Sequence, residues 1–492
     1  MTEALFLGID VGTSGVKVVA INADGGALSA VTSPLTLQTP KPGWAEQDPD
    51  AWWRATVEAI RGVLERRPAE TIASIGISGQ MHSSVFLDRD GEVIRPALLW
   101  CDGRTTAECR EIEQRVGGEQ RLRDLASNPA LEGFTLPKVL WLRNHEPAAF
   151  DRLATVLLAK DYIRYRLTGE LATEPSDASA TLMYDTARLR WSSEIMSAVG
   201  LSESILPSVG GSSEVLGRVT GDAARETGLM AGTPVVGGGA DNACGAAGVG
   251  VVAPGEAVAS WGTSGTLLAP LAEPKVDPGL RAHTFCHVVP GVWYLMGVVL
   301  TAGGAFAWYR DQLARDVAGE RDPNGSLNDE AATIPRGAEG VTFLPYLQGE
   351  RTPHRNANAR GAFLGLTLAH TRAHMTRAVL EGICFALRDS LTILQSLGLT
   401  PSELLLTGGG AYSPFLRQLQ AEVFGLPVRP ASREEGPGYG AALLGAVGVG
   451  AFPDLVAATR ATLKRTRAVS PAAEAHREYD EPYARFRASY RA

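Results

Sequence analysis

The sequence predicts an α/β protein of two domains related by duplication of one unit. Three observations carry this expectation. The chain has 492 residues, more than one ordinary hydrophobic core organises. The tetrapeptide Gly-Thr-Ser-Gly occupies residues 12–15 and again 262–265, 250 positions later. Each copy lies between short apolar, β-rich runs, and mixed strand and helix patterns follow both copies.

Residues 5–10 and 16–22 read as the arms of a hairpin around the first turn, with 27–35 as a third strand. Asp48 before Pro49 has the form of an N-cap and a first-turn proline, opening a helix through about residue 66. Residues 72–77 read as a buried strand, 156–158 as another apolar run and 161–167 as a helix. A second series begins after Val235 and Val236. Residues 257–260 and 266–269 flank the second turn as a hairpin, and 293–296 continue that sheet. Residues 302–313 and 374–397 have helical spacing. Residues 404–406 form a strand leading into Gly408-Gly409-Gly410, 414–424 a helix, and 440–447 another helix packed closely through small residues. From residue 455 the chain is rich in Ala, Arg and Glu and reads as a closing helical segment. The repeat period is far longer than that of a solenoid. Glycine, valine and proline replace the preceding pattern near 248–254, so the domains are expected at 1–248 and 249–492.

Apolar residues make up 45% of the chain and charged residues 20%, the composition of a folded globular protein. The net charge of −8 argues against nucleic acid or an anionic membrane as the main partner, and leaves room for a small anion held locally. The cysteines, Cys101, Cys109, Cys244, Cys286 and Cys384, are odd in number and scattered without CxxC, which suits a reducing cytoplasm. No basic segment followed by a long apolar one opens the chain, so no signal peptide is expected. No apolar run approaches the roughly 20 residues that span a bilayer.

A glycine turn between strands exposes consecutive backbone N–H groups, and its Thr and Ser hydroxyls add donors. Such a concavity binds phosphate. One copy is more simply a hairpin turn. Two copies at equivalent places point to two cradles that grip one triphosphate from opposite sides. No GxxxxGK[ST] is present, so this is not a P-loop protein. Gly436-Pro437-Gly438-Tyr439-Gly440-Ala441 fits GxGxxA loosely, but it follows the polar residues 432–435 and reads as the start of a close-packed helix.

Asp10 ends the first strand beside the turn. A carboxylate there suits Mg²⁺, directly or through water; the alternative is an Asp capping its own turn. Asp241 lies in GGGADN (237–242), after a strand and before a small-residue helix over 243–248. Its candidate role is the general base that takes a hydroxyl proton during phosphoryl transfer, with an ordinary N-cap as the alternative. Ser78-Gly79-Gln80-Met81-His82 follows a strand end, where α/β sheets bind ligands. His82 and nearby backbone could bind a polyol with Met81 as an apolar wall, against a purely structural histidine. Trp100-Cys101-Asp102-Gly103-Arg104 joins an aromatic face to two charges, a combination that suits sugars, or else is a buried Trp beside a surface salt bridge. Gly408-Gly409-Gly410 would let an adenine lie against backbone, or is only a helix-start turn. His283, Cys286 and His287 look like a metal cluster, but a strand would hold the two histidines far apart and turn Cys286 away. Residues 44–49 read as a loop near substrate or a helix lead-in.

Together these stretches resemble the FGGY carbohydrate kinases from residue 8 to about residue 445. The likeness rests on GIDVGTSGVK, PGWAEQDPDAWW, GISGQMH, LLWCDGR, GFTLPKVLW (133–141), GGGADNACGA, SWGTSG, FLPYLQGERTPH (343–354), GAFLGL (361–366) and LTGGGA. QMH and GERTPH favour the xylulose-phosphorylating members. The resemblance implies a duplicated actin-like, ribonuclease-H-like ATPase fold whose halves close on ATP and sugar. It implies Mg²⁺-dependent transfer of the ATP γ-phosphate to O5 of D-xylulose. Ribulose, fuculose or glycerol are alternative acceptors, and a non-kinase actin-like ATPase is the rival class. On that pattern Asp241 is the catalytic base and Asp10 the Mg²⁺-linked carboxylate. Met81, His82 and Asn242 contact the sugar, as does Trp100, which falls where glycerol kinases place a tryptophan. Thr13, Ser14, Thr263 and Ser264 meet phosphates, and Gly409 and Gly410 the adenosine. The first domain would supply sugar site and base, the second the adenosine site. Cys101, and Ser413 with Pro414, depart from the family pattern. The enzyme would be cytoplasmic, without nucleic-acid or membrane partners, and its oligomeric state stays open, a homodimer included.

Overall fold

The computed structural model describes residues 4–433 and 436–490. The first hairpin forms as predicted: Leu5–Val11 and Gly15–Asn22 run antiparallel, with Asp10 opposite Lys17. Ala27–Pro34 extends it on one side, and Ile72–Gly79 pairs in parallel with Leu5–Val11 on the other. Pro234–Val236 and Val215–Arg218 complete the path of this sheet. The first strand is apolar at nearly every position because helices cover both faces. Leu5, Leu7, Ile9 and Val11 share a core with Trp52 and Ile60 of the helix Pro49–Leu64. That helix starts where expected, with Asp48 as the N-cap accepting from the Asp50 N–H at 3.0 Å.

The second half repeats the plan. Val258–Trp261 and Gly265–Leu271 form an antiparallel hairpin, and Trp293–Val299 adds a third antiparallel strand. Leu404–Gly408 pairs in parallel with Val258–Trp261, and Val428–Pro430 continues in parallel beyond it. Each sheet therefore runs from a three-stranded meander into parallel strands at the same relative position. The duplication inferred from GTSG is thus visible in strand order and direction.

The last strand of each plan leads to a helix: Asp241–Gly248 in the first half and Pro437–Gly448 in the second. These two helices pack on each other, and Pro437–Gly448 also lies on the sheet of the first half. Glycine makes this approach feasible. A Cβ on Gly440 would sit 2.0 Å from the Cys244 carbonyl oxygen, and one on Gly8 1.8 Å from that of Gly438. The close-packed helix start is found, ahead of its predicted first residue because Pro437 suits a first turn. Glu434 and Glu435 of the polar run before it lie outside the described residues. The expected single closing segment is instead three helices, Leu455–Thr462, Ala473–Glu478 and Asp480–Ser489. The chain between the first two is held extended, with Val469 bridged to Val428. Among the described residues no helix is long and apolar enough to cross a membrane.

Candidate active site

Ile72–Gly79 ends in the cleft between the sheets, and Gln80, Met81 and His82 follow it. His82 has φ 65°, the left-handed region that a side chain normally avoids. Three contacts hold it there. Its Nδ1–H donates to the Ala180 carbonyl at 2.6 Å, its ring lies 4.5 Å from that of Phe134, and Lys138 Nζ donates to its carbonyl at 2.8 Å. Burial pushes the His82 pKa well below the usual value, so the ring is neutral. With the proton fixed on Nδ1, Nε2 is left as an acceptor. Met81 forms the adjoining wall; Asn242 Nδ2 approaches its sulfur at 3.4 Å and Tyr294 Oη at 3.9 Å.

Trp100 completes the same cavity, of about 230 Å³. Its indole N–H donates to Thr13 Oγ1 at 3.0 Å, and Thr13 Oγ1 donates in turn to Gln80 Oε1 at 2.9 Å. The Thr13 hydroxyl has therefore spent its proton, and what that residue retains for a phosphate is its backbone N–H. The charges of WCDGR do not face the cavity. Arg104 pairs with Asp102 and Glu46 and lies 3.6 Å from the Trp44 ring centroid, and Asp102 also accepts from the Ala45 N–H at 2.6 Å. The surface salt bridge weighed as the alternative is a buried one that ties to the 44–49 loop.

Asp241 is the first residue of its helix, not its N-cap, a position held by Ala240. Its Oδ1 accepts from the Asn242 backbone N–H at 2.7 Å and from Asn242 Nδ2 at 3.0 Å. Loss of water, and then the nearby Asp10 charge, push its pKa up to about 7. Asp10 itself is raised to about 6, again mainly by desolvation, and its Oδ1 is buried without a hydrogen-bond partner. It does not cap its own turn: Gly12 N–H is taken by the Gly15 carbonyl.

A second cavity of about 350 Å³ adjoins the first. Asp241, Asn242, Ser260 and Thr266 line both. The far wall of the larger cavity includes Thr407, Gly408, Ala411, Tyr412 and Arg433. Gly409 and Gly410 stand in the turn behind this wall rather than in it. A Cβ on Gly410 would lie 2.7 Å from the Trp261 ring, so this glycine seats the turn on the indole. Gly262 and Ser264 line the smaller cavity. Thr263 presents its carbonyl to the N–H groups of Ala302 and Gly304 at 3.0 and 2.9 Å, and the Ser14 carbonyl accepts from Leu35 at 2.9 Å. His283 and His287 make no common site: His283 Nδ1 lies 3.1 Å from Asn128 Oδ1, and the Val289 N–H donates to His287 Nδ1 at 3.1 Å.

Sequence reasoning missed three groups here. Lys138 is fully buried and its pKa falls to about 7 through desolvation. The signal was available: Leu136, Val139, Leu140 and Leu142 leave its helix no polar face from which a lysine could emerge. Arg351 lines the smaller cavity from the second half. Behind Asp241, the Ala240 N–H donates to Ser176 Oγ at 2.9 Å, and Ser176 Oγ donates to Glu174 Oε1 at 2.7 Å. Glu174 lies beside a buried cluster in which Lys160 Nζ meets Asp161 at 2.7 Å and Asp177 at 3.1 Å. No local pattern joins those residues.

Comparison with known proteins bears on both halves. The model of the FGGY family of carbohydrate kinases, N-terminal domain, matches residues 5–248, and that of the C-terminal domain matches residues 257–449. The chain is 41% identical over 442 residues to the xylulose kinase of Escherichia coli strain K12, covering 89% of each chain. A solved xyloylose kinase from Brucella ovis superposes with a TM-score of 0.91 at 38% identity, covering 99% of this chain and 98% of that one. A gluconate kinase structure from Lactobacillus acidophilus gives a TM-score of 0.93 at 28% identity, covering 99% and 97%.

Proposed function

The chain belongs to the FGGY family of carbohydrate kinases, and from that premise we propose that it transfers the γ-phosphoryl group of ATP to O5 of D-xylulose. The observation that carries this reading is the wall shared by two adjoining cavities, with Asp241 in it. The smaller suits a five-carbon sugar, with His82 Nε2 as acceptor, Met81 and Trp100 as walls, and Asn242 at its edge. The larger, walled by Thr407, Gly408, Ala411, Tyr412, Ala431 and Arg433, suits adenosine. A phosphate chain running from the larger toward the smaller passes the turns at 12–15 and 262–265, where the N–H groups of Thr13, Ser14, Thr263 and Ser264 neutralise it, those of Gly12 and Gly262 being bonded within the turns.

Asp241 takes the O5 proton as the phosphoryl group arrives. A pKa near 7 keeps much of it ionised at neutral pH while making it a stronger base than a solvated carboxylate. Asn242, through its two hydrogen bonds to Oδ1, orients the carboxylate and leaves Oδ2 for the proton. Phosphoryl transfer asks the protein mostly for positioning and charge stabilisation.

Asp10 fits a Mg²⁺ ion held directly or through water, because its Oδ1 is a buried acceptor with no partner. Among the described residues no group of three or more His, Cys, Asp or Glu side chains could hold a metal, so most of the ion's ligands would be phosphate and water oxygens. When bound, the ion would offset charge on the phosphates. Residues 1–248 supply the base and the sugar contacts at Met81, His82, Trp100 and Asn242, and 249–492 most of the nucleotide contacts. The five cysteines are free thiols, which agrees with a cytoplasmic setting.

The test is ADP release from MgATP across a panel of ketopentoses and polyols, with the product identified by phosphorus NMR. D-xylulose should raise the rate most and give the 5-phosphate. Asp241→Asn should lower kcat by about 10²- to 10⁴-fold while ATP still binds. A sugar-independent rate, or near-normal turnover in that variant, would reject the assignment.

A further inference from the structure

Arg351 comes from the second half of the chain, yet it lines the cavity of Met81, His82, Trp100 and Asp241. Arg351 is partly buried, and a cation so placed is commonly paired. This guanidinium makes neither an ion pair nor a hydrogen bond with any described residue. The adjacent Glu350 does not serve it: Glu350 Oε1 accepts from the Leu300 N–H at 3.0 Å and from the Arg351 backbone N–H at 2.7 Å. Gly133 makes room for the group, since a Cβ there would approach Arg351 Nη2 to 3.0 Å. Desolvation lowers its pKa from the usual arginine value.

The other nitrogen donors of the cavity are already engaged. Asn242 Nδ2 is held by Asp241 Oδ1 and Met81, and Trp100 Nε1 by Thr13. His82 offers an acceptor. A ketone oxygen can only accept, and of the side chains in the lining with an uncommitted donor, Ser260, Ser264 and Thr266 offer one hydroxyl each whereas Arg351 offers a fork. An arginine fork presents two N–H groups side by side and matches two neighbouring oxygens.

We propose that Arg351 is a substrate-binding residue that donates hydrogen bonds to O1 and O2 of the ketose, while O5 faces Asp241. The assignment rests on the pentulose-kinase reading above. Because Arg351 is carried by the half opposite His82, the sugar becomes a bridge between the halves.

The experiment compares the wild type with Arg351→Met and Arg351→Lys, measuring calorimetric binding of D-xylulose and the separate KM values for sugar and ATP. Arg351→Met should weaken D-xylulose binding and raise its KM roughly 10- to 100-fold, with KM for ATP within about twofold. Arg351→Lys, which keeps the charge and loses the fork, should fall between, and it carries the test alone if the Met variant does not fold. With 1-deoxy-D-xylulose, which lacks one of the two oxygens, the Met variant should lose less. Sugar binding within about twofold of wild type, equal loss of ATP and sugar affinity, or equal loss with the deoxy sugar would overturn the proposal. So would a wild type that prefers D-gluconate, because the fork would then serve a carboxylate. Failure of the wild type to phosphorylate any ketopentose would instead reject the kinase reading, a distinct result.

Discussion

Two neighbouring carboxylates, Asp10 and Asp241, oppose each other's ionisation, and this has measurable signs. Asp241 titrates near 7, with Asp10 as the second cause after burial. If Asp241 is the base, kcat/KM should rise through an acid limb near pH 7. In Asp10→Asn the neighbouring negative charge is gone, ionisation of Asp241 becomes easier, and the limb should move to lower pH even as turnover falls. A pH profile at saturating ATP checks this, and an unmoved or raised limb would separate the two residues electrostatically. The same shift affects stability. Between about pH 4 and 7 the folded state keeps a proton that the unfolded chain releases, so stability falls as pH rises through that window. Asp241→Asn removes the burden. Its Tm should exceed that of wild type by a few degrees at pH 8 and match it near pH 4, as read by thermal unfolding at the two pH values.

At the scale of elements, the contact between Asp241–Gly248 and Pro437–Gly448 is decided by missing side chains. Gly440→Ala raises helix propensity by about 1 kcal/mol, yet it puts a methyl group 2.0 Å from the Cys244 carbonyl oxygen. The clash should win, with a net loss on the order of 1–3 kcal/mol and a lower Tm. A variant as stable as its parent would mean that the helices slide apart freely. This contact also shows where the sequence was legible. The two hairpins were readable because GTSG punctuates β-rich runs, and Asp48-Pro49 because capping chemistry is local. The helix Thr135–His145 escaped notice because Thr135 to Leu142 are all buried, which erases the 3.6-residue period. Asp10, Met81, His82 and Asp241 could be singled out as candidates because each sits at a strand end or helix start. Arg351 and Ser176 were not, since only the tertiary fold brings residues so distant in the chain beside Asp241. Thr13 was legible as part of a phosphate turn, but the commitment of its hydroxyl proton to Gln80 depends on a side chain 67 positions away.

For the whole molecule, both cavities draw on both halves, so occupancy and closure are coupled. Ser260, Gly262 and Arg351 face the smaller cavity from the second half, and Gly245 and Ala246 face the larger one from the first. Saturating D-xylulose should therefore reduce the radius of gyration in small-angle scattering and exclude water before transfer. An unchanged radius at saturation would mean that the halves are already in their working positions. The placement of Pro437–Gly448 has a further effect on how such an enzyme can be rebuilt. Phe6, Val19 and Ile21 share their core with Tyr439 and Leu443, contributed from the far end of the chain. A fragment ending near residue 248 would expose that surface, so the two lobes are not interchangeable cassettes. Any chimera grafting the front half of one relative onto the back half of another must transplant this late helix together with the front of the chain.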